Sequence, residues 1–142
     1  MSKKKLLLVL PTHYGRDDKL ITVNRASLNL NLSLVTLAGL TPDEHFDMEI
    51  LNDYVHPVDP DVPGDLVAIS TLTTTAERAY ELADGFRAAG KTVVLGGYHV
   101  WAFPEEAAQH ADAIVIGEAE DTWPIVVDDY LSGRLQTRYD AP

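Results

Sequence analysis

An open, doubly wound α/β sheet of parallel strands is the fold class this sequence predicts, and three observations predict it. Short runs that are apolar throughout recur at residues 6–10, 66–69, 92–95 and 113–116, the pattern of central parallel strands covered on both faces. Stretches of helical period separate most of them, as the crossover between parallel neighbours requires. Each run stops abruptly, at Pro11, Ser70, Gly96-Gly97 and Gly117 respectively.

Taken in order, Leu6-Leu7-Leu8-Val9-Leu10 is the first strand. Residues 27–40 alternate strictly over Leu28-Asn29-Leu30-Asn31-Leu32-Ser33-Leu34, which locally favours a strand. The stretch is long for a strand, however, and a crossover is needed here, so a helix is expected. Residues 47–51 alternate as an edge strand would. Residues 52–63, rich in Pro and Asp, take the place of a second helix. A helix over 74–89 follows the next strand, with Ala79, Leu82, Ala83 and Phe86 at helical spacing. Thr74 and Glu77 are placed for a capping box, and Gly90 for the stop. Pro104-Glu105-Glu106 opens a short helix, and a last one runs from about Glu120 to Leu131, ending near Gly133. Right-handed crossovers then give five strands in the flavodoxin-like order 2-1-3-4-5. The chain reads as one domain over 1–142, with no repeat or linker, and its tail, Tyr139-Asp140-Ala141-Pro142, suits a domain cut from a longer protein.

Bulk chemistry narrows the function. The 142 residues carry 22 acidic and 11 basic side chains, a net charge of -11, which repels phosphate backbones and argues against nucleic acid. The chain has no cysteine, so disulfides, thiolate metal sites and an iron–sulfur cluster held by this chain are excluded. Its apolar runs are too short for a membrane span or a secretory signal, and a cytoplasmic setting is expected.

In such a sheet, ligands sit beyond the carboxyl ends of the strands. Four segments meet there: 11–27, 70–74, 96–103 and 117–122. The first is long for a compact domain. The second, Ser70-Thr71-Leu72-Thr73-Thr74, is rich in hydroxyls that either cap a helix or bond a ligand. Gly96-Gly97 permits either a tight turn or close approach of a ligand to backbone. Glu118 and Glu120 either cap the next helix or accept from ligand amides. His13 and His99 fall on this edge; His45, His56 and His110 do not. Trp101 and Phe103 would line a pocket or cover the short helix, and Trp123 is expected in the core or at an interface.

The usual occupants of the fold fit poorly. A dinucleotide site needs Gly-x-Gly-x-x-Gly after the first strand, where this chain reads Pro11-Thr12-His13-Tyr14-Gly15-Arg16. No Gly-Lys-Ser/Thr phosphate loop exists, and a flavodoxin-type phosphate loop is weak. A phosphoacceptor receiver needs acids and a lysine where Pro11, Ser70 and Gly117 stand. No nucleophile elbow or paired metal-ligand motif appears, so a carrier or binding module explains the chain better than a self-sufficient enzyme.

The order and spacing of several segments carry a resemblance. They are Asp65-Leu66-Val67-Ala68-Ile69-Ser70, Ala79-Tyr80-Glu81-Leu82-Ala83, Val93-Val94-Leu95-Gly96-Gly97-Tyr98-His99, Pro104-Glu105-Glu106-Ala107 and Asp112-Ala113-Ile114-Val115-Ile116-Gly117-Glu118-Ala119-Glu120. Over nearly its whole length the chain resembles the cobalamin-binding domain at the N-terminus of cobalamin-dependent radical S-adenosylmethionine enzymes, a group of methyltransferases and cyclases. The resemblance implies cobalamin as cofactor, contacted by Thr12, His13, Ser70, Leu72, Thr73, Gly96, Gly97, His99, Gly117, Glu118 and Glu120. Cobalamin families of this kind carry Asp-x-His-x-x-Gly after the first strand, whose His is the lower cobalt ligand. Here His13 holds the His position, Pro11 replaces the Asp, Arg16 replaces the Gly, and Gly15 comes one residue early. His13 as axial ligand and cobalt with no protein ligand therefore both stay open. The Ser-x-Leu and Gly-Gly elements match as Ser70 and Leu72, and Gly96 and Gly97; the resemblance implies that they line a slot for the dimethylbenzimidazole tail, with Ser70 bonded to a ring nitrogen. The iron–sulfur cluster and S-adenosylmethionine would belong to a downstream catalytic domain. Two other readings stand beside this one, a cofactor-free interaction module and a flavin or nucleotide carrier.

Overall fold

The computed structural model describes residues 2–23 and 32–142. Its sheet has six parallel strands: β1 (Lys4–Leu10), β2 (Phe46–Asn52), β3 (Leu66–Ser70), β4 (Thr92–Gly96), β5 (Ala113–Ile116) and β6 (Arg138–Asp140), in the order β2-β1-β3-β4-β5-β6. The first five stand in the expected order. The sixth is an addition to it: Arg138-Tyr139-Asp140 buries only its middle residue, too short an alternation to read from sequence.

Alternate side chains of the sheet face two separate cores, which is why the central strands are apolar throughout. Leu7, Val9, Val67, Ile69, Val93, Leu95 and Ile114 pack on one face. They meet α2 (Ala76–Ala88) through Ala79, Leu82, Ala83 and Phe86, α3 (Tyr98–Ala102) through Val100, and α4 (Pro104–Ala108) through Ala107. Leu6, Leu8, Leu66, Ala68, Val94, Ala113 and Val115 face the other way. There they meet α1 (Leu32–Leu40) through Leu34 and α5 (Trp123–Leu131) through Trp123, Val126 and Val127. Trp123 is a core residue whose Nε1 donates to Thr41 Oγ1 at 2.9 Å.

Local signals place the helix ends, with three differences. Helix α2 is preceded by a 3₁₀ turn at Thr73–Thr75, and Thr75 Oγ1 accepts the Leu72 amide at 3.0 Å; this contact stands where Thr74 and Glu77 were expected to cap. Helix α3 is new, since five residues are too few to show a period. Helix α5 begins at Trp123 rather than Glu120, with Pro124 in its first turn. Both predicted stops hold. Lys91 N bonds Phe86 O and Gly90 N bonds Arg87 O, each at 3.0 Å, around Gly90 at φ 86°, and Arg134 N to Asp129 O with Gly133 N to Tyr130 O repeats this motif after α5. Residues 27–31 of the expected first helix lie outside the described residues, and 32–40 are helical. Among the described residues no helix is long and apolar enough to cross a membrane.

Candidate functional site

Beyond the carboxyl end of β1 the chain folds into a small hairpin. Gly15 N bonds Lys19 O at 2.7 Å, Ile21 N bonds His13 O at 2.9 Å, and Tyr14 bridges Leu20. Its root is held from below by a buried ion pair. Asp53, at the end of β2, is fully buried and takes Arg78 Nε at 2.8 Å and Nη2 at 3.0 Å. The same carboxylate accepts Thr12 N at 3.0 Å and Val58 N at 2.7 Å. Arg78 reaches on to Glu81 at 2.6 Å, and Glu81 accepts the Tyr14 hydroxyl at 2.6 Å. Burial by itself would raise the Asp53 carboxyl, but the Arg78 guanidinium and the two amides outweigh it and hold it below the ordinary carboxylate value. Bonding to Asp53 in turn raises Arg78 further above its ordinary value.

This frame sets His13, which is half-buried, with Nδ1 3.1 Å from the Tyr54 hydroxyl and the two rings edge to face. Nε2 has no partner among the described residues. Thr12 is fully buried, its amide on Asp53 and its hydroxyl on Ile21 O at 2.7 Å, so it builds the hairpin rather than lining a surface.

The centre of the rim is formed by β3 and β4. Ser70 and Gly96 are register partners, on the face that Ala68 and Val94 share with α1 and α5. The Ser70 hydroxyl has no hydrogen-bond partner among the described residues. A Cβ on Gly96 would meet only Val115, at 3.9 Å. Gly97 differs: its φ is 105°, and a Cβ there would sit 2.5 Å from Thr71 O and 2.7 Å from Thr71 N. The space beside Gly97 is thus taken by the protein's own backbone, where His99 N also bonds Thr71 O at 3.1 Å. Leu72 is 43% exposed at the rim.

His99 is buried and engaged at both nitrogens, Nδ1 with Thr73 Oγ1 at 3.2 Å and Nε2 with Glu106 Oε2 at 2.8 Å. Glu106 also accepts the Tyr80 hydroxyl at 2.6 Å. The Tyr80 bond first, and the His99 bond second, hold the Glu106 carboxyl below its usual value. His99 therefore ties the loop after β3 to α4.

Gly117, Glu118 and Glu120 line a cleft of about 370 Å³ with Trp101, Ile116, Asp121, Ala141 and Pro142. Gly117, at φ 88°, leaves room for Ala141, to which a Cβ would approach within 3.0 Å. Glu118 and Glu120 are exposed and form no ion pair among the described residues. Trp101 is 64% exposed and Tyr98 81%, so the rim near α3 presents aromatic surface. Among the described residues no three His, Asp or Glu side chains gather to hold a metal ion.

Asp53, Tyr54 and Arg78 escaped the sequence reading. Asp53-Tyr54 directly follows β2, so the rule that strand ends bear sites would have found them had it been applied to the edge strand. Arg78 stands four residues before Leu82, on the apolar face of its helix, which is the signal of a buried cation with a partner.

The chain has recognisable relatives among known proteins. A family model described as the B12 binding domain matches residues 19–127, a match that begins after His13. The chain is 46% identical over 112 residues, 78% of its length, to bacteriochlorophyllide d C-8(2)-methyltransferase of Chlorobaculum tepidum, and covers 25% of that protein. It is 32% identical over 142 residues, 99% of its length, to bacteriochlorophyllide d C-12(1)-methyltransferase of the same organism, and covers 30% of it. The chain thus spans only about a quarter to a third of these curated relatives. Its fold is similar to the crystal structure of the N-terminal domain of a hypothetical protein of Thermotoga maritima, with a TM-score of 0.53 and 21% identity over 85% of this chain and 100% of that one.

Proposed function

The chain belongs to the B12-binding domain family, and from that premise we propose that residues 1–142 act as one unit that holds cobalamin across the carboxyl rim of the sheet. The unit presents it to a radical S-adenosylmethionine domain C-terminal to it, for methyl transfer, the reaction type in both curated relatives' names. One observation carries the placement. Ser70 and Gly96 stand side by side at the ends of the two central strands, with a hydroxyl that has no partner among the described residues and an open Cβ position. A flat apolar ring with one acceptor nitrogen, such as the dimethylbenzimidazole tail, asks for small residues, an apolar wall and one donor. Ala68, Val94 and Val115 supply the wall on that face.

In this arrangement Ser70 Oγ donates to the tail nitrogen, and Gly96 keeps the mouth of the slot open. His13, whose Nε2 has no partner among the described residues, would offer that nitrogen to the bound cofactor's metal, and the half-exposed Leu72 would lend apolar surface to it. Glu118 and Glu120 accept from amides on the corrin rim, in the cleft that Trp101 walls. Thr12, Thr73 and His99 hold the loops in place, and Gly97 lets the loop after β4 pack on Thr71. Cobalamin, when bound, supplies group-transfer chemistry at cobalt, and the protein sets its position and axial environment.

The test is a visible-spectrum titration of the chain with hydroxocobalamin and methylcobalamin, followed by desalting. A retained and shifted corrin spectrum is expected. A folded chain that retains no corrin overturns the reading in favour of an interaction module, and a flavin spectrum on the purified chain favours the nucleotide carrier. Two substitutions sharpen it. Ser70→Ala is expected to weaken retention about two- to tenfold, the value of one neutral hydrogen bond. His13→Ala is expected to abolish the spectral shift of axial ligation while much of the retention persists through the tail slot.

A further inference from the structure

We infer that Thr73 is a specificity determinant of the rim: His99 and Glu106 hold its hydroxyl hydrogen inward, so that Thr73 Oγ1 turns only lone pairs outward and selects a hydrogen-bond donor on the ligand, a carboxamide rather than a carboxylate. The inference rests on the reading of this rim as a cobalamin site, and deepens it by naming what one position of the rim demands of the corrin's side chains.

The direction is set at the far end. Glu106 Oε2 lies 2.8 Å from His99 Nε2 and 2.6 Å from the Tyr80 hydroxyl. A Glu carboxyl is ionised at neutral pH, and a carboxylate only accepts. Both neighbours therefore donate to it, and the single hydrogen of the neutral imidazole sits on Nε2. Nδ1 is left as an acceptor. Its partner is Thr73 Oγ1, 3.2 Å away, and that contact is made by the Thr73 hydrogen. The opposite order would set the lone pair of Nε2 against a carboxylate oxygen.

The ring is held in this place. His99 is buried, with its ring centroid 4.9 Å from that of Phe103 and 5.9 Å from that of Tyr80. Its backbone is tied on both sides, His99 N donating to Thr71 O at 3.1 Å and His99 O accepting Phe103 N at 2.8 Å. Thr73, by contrast, is exposed, in the 3₁₀ turn that directly follows Ser70, Thr71 and Leu72. A threonine hydroxyl ordinarily rotates to suit its partner. Here a buried imidazole and a carboxylate take up that freedom for a hydroxyl that stands on the surface. An amide N–H meets the outward lone pairs as a donor. A carboxylate meets them with no hydrogen in between, and a group left unpaired in this way is what gives a polar site its discrimination.

The experiment has a ligand-free arm and a ligand arm, both on the full chain. In the first, histidine is labelled with ¹⁵N and long-range ¹H–¹⁵N correlations are recorded at a pH where the imidazole is neutral. The hydrogen of His99 is expected on Nε2, and Glu106→Ala should move it toward Nδ1. A hydrogen on Nδ1 in the wild-type chain overturns the inference. In the second arm, retention of cobalamin is compared with that of cobalamin monocarboxylates, each with one side-chain amide converted to a carboxylate. One of them is expected to be retained about 10-fold less than cobalamin. Thr73→Val should shrink that ratio about two- to tenfold, the value of one neutral hydrogen bond, whereas Thr73→Ser should keep it. Glu106→Ala should shrink it as well. Lost packing around His99 would weaken both ligands alike, and the acids Glu118 and Glu120 disfavour a carboxylate in every variant, so the change in ratio reads the hydroxyl alone. A ratio unchanged in Thr73→Val overturns the inference while cobalamin binding stands. A folded chain that retains none of these corrinoids overturns the cobalamin reading and the selection built on it, and the ligand-free spectra still decide which way the Thr73 bond points.

Discussion

Gly96→Leu is expected to leave a folded chain that has lost cobalamin, and Gly97→Ala to leave a chain that scarcely folds. Neighbouring glycines in one motif thus separate two roles that sequence cannot tell apart. At Gly96 an added Cβ meets Val115 at an ordinary 3.9 Å, and φ is not in the left-handed region. Ala there should be neutral, or stabilising by about 0.4–1 kcal/mol through the unfolded chain. A leucine side chain would fill the mouth of the slot beside Ser70 and weaken retention about 10- to 100-fold, at roughly 1.4 kcal/mol per tenfold. At Gly97 the added Cβ collides with Thr71 backbone at 2.5 Å and φ is 105°. The strained φ alone costs about 1–3 kcal/mol, and with the collision the loss should reach about 3–5 kcal/mol, the range of severe core substitutions. Urea unfolding of both variants, with corrin retention after desalting, checks the pair. Equal retention by Gly96→Leu and the parent chain would remove the slot from this position.

Arg78→Ala is expected to destabilise the chain by about 3–5 kcal/mol, because it leaves Asp53 as an unpaired buried charge. Asp53 would bear that penalty in full, since no part of it reaches solvent. The double variant Asp53→Leu, Arg78→Met should recover part of the loss but not all of it. Thr12 N and Val58 N would lose their acceptor, at about 1–3 kcal/mol each if they stay buried. Amide exchange at Thr12 and Val58 should rise sharply in the same variant. The pH dependence follows from the direction of the Asp53 shift. Its folded value lies below the ordinary 3.8, so its contribution is complete above that pH and is lost as the pH falls from there through the folded value. An acid-unfolding midpoint unmoved by the double variant would contradict this assignment.

What was legible in the sequence is what depends on period and on strand ends. Uniform apolar runs gave away four core strands because both faces of the sheet are covered, and the edge strand β2 showed as alternation because much of it stays exposed. Gly90 and Gly133 announced helix stops that the backbone realises with positive φ. Ser70 and Gly96 could be placed together because a parallel sheet brings successive strand ends to one rim. Helix α3 and strand β6 could not be read, being five and three residues long. Nor could the use made of Gly97, His99 and Thr12, whose partners Thr71, Glu106 and Asp53 are set by tertiary contact rather than by spacing. The ion pair of Asp53 with Arg78 spans 25 positions, a separation that no local pattern encodes.

The two rims of the sheet carry a further consequence. On β2 the outward Asp47 and Glu49 are paired with Lys3 and Lys5, and on β6 Arg138 is forked onto Asp140. A foreign strand pairing with either edge would have to strip water from these charges, and on β6 would also have to fit alongside a run only three residues long. The open sheet is in this way protected at both ends against growing by edge-to-edge aggregation, a hazard that any unclosed sheet otherwise carries.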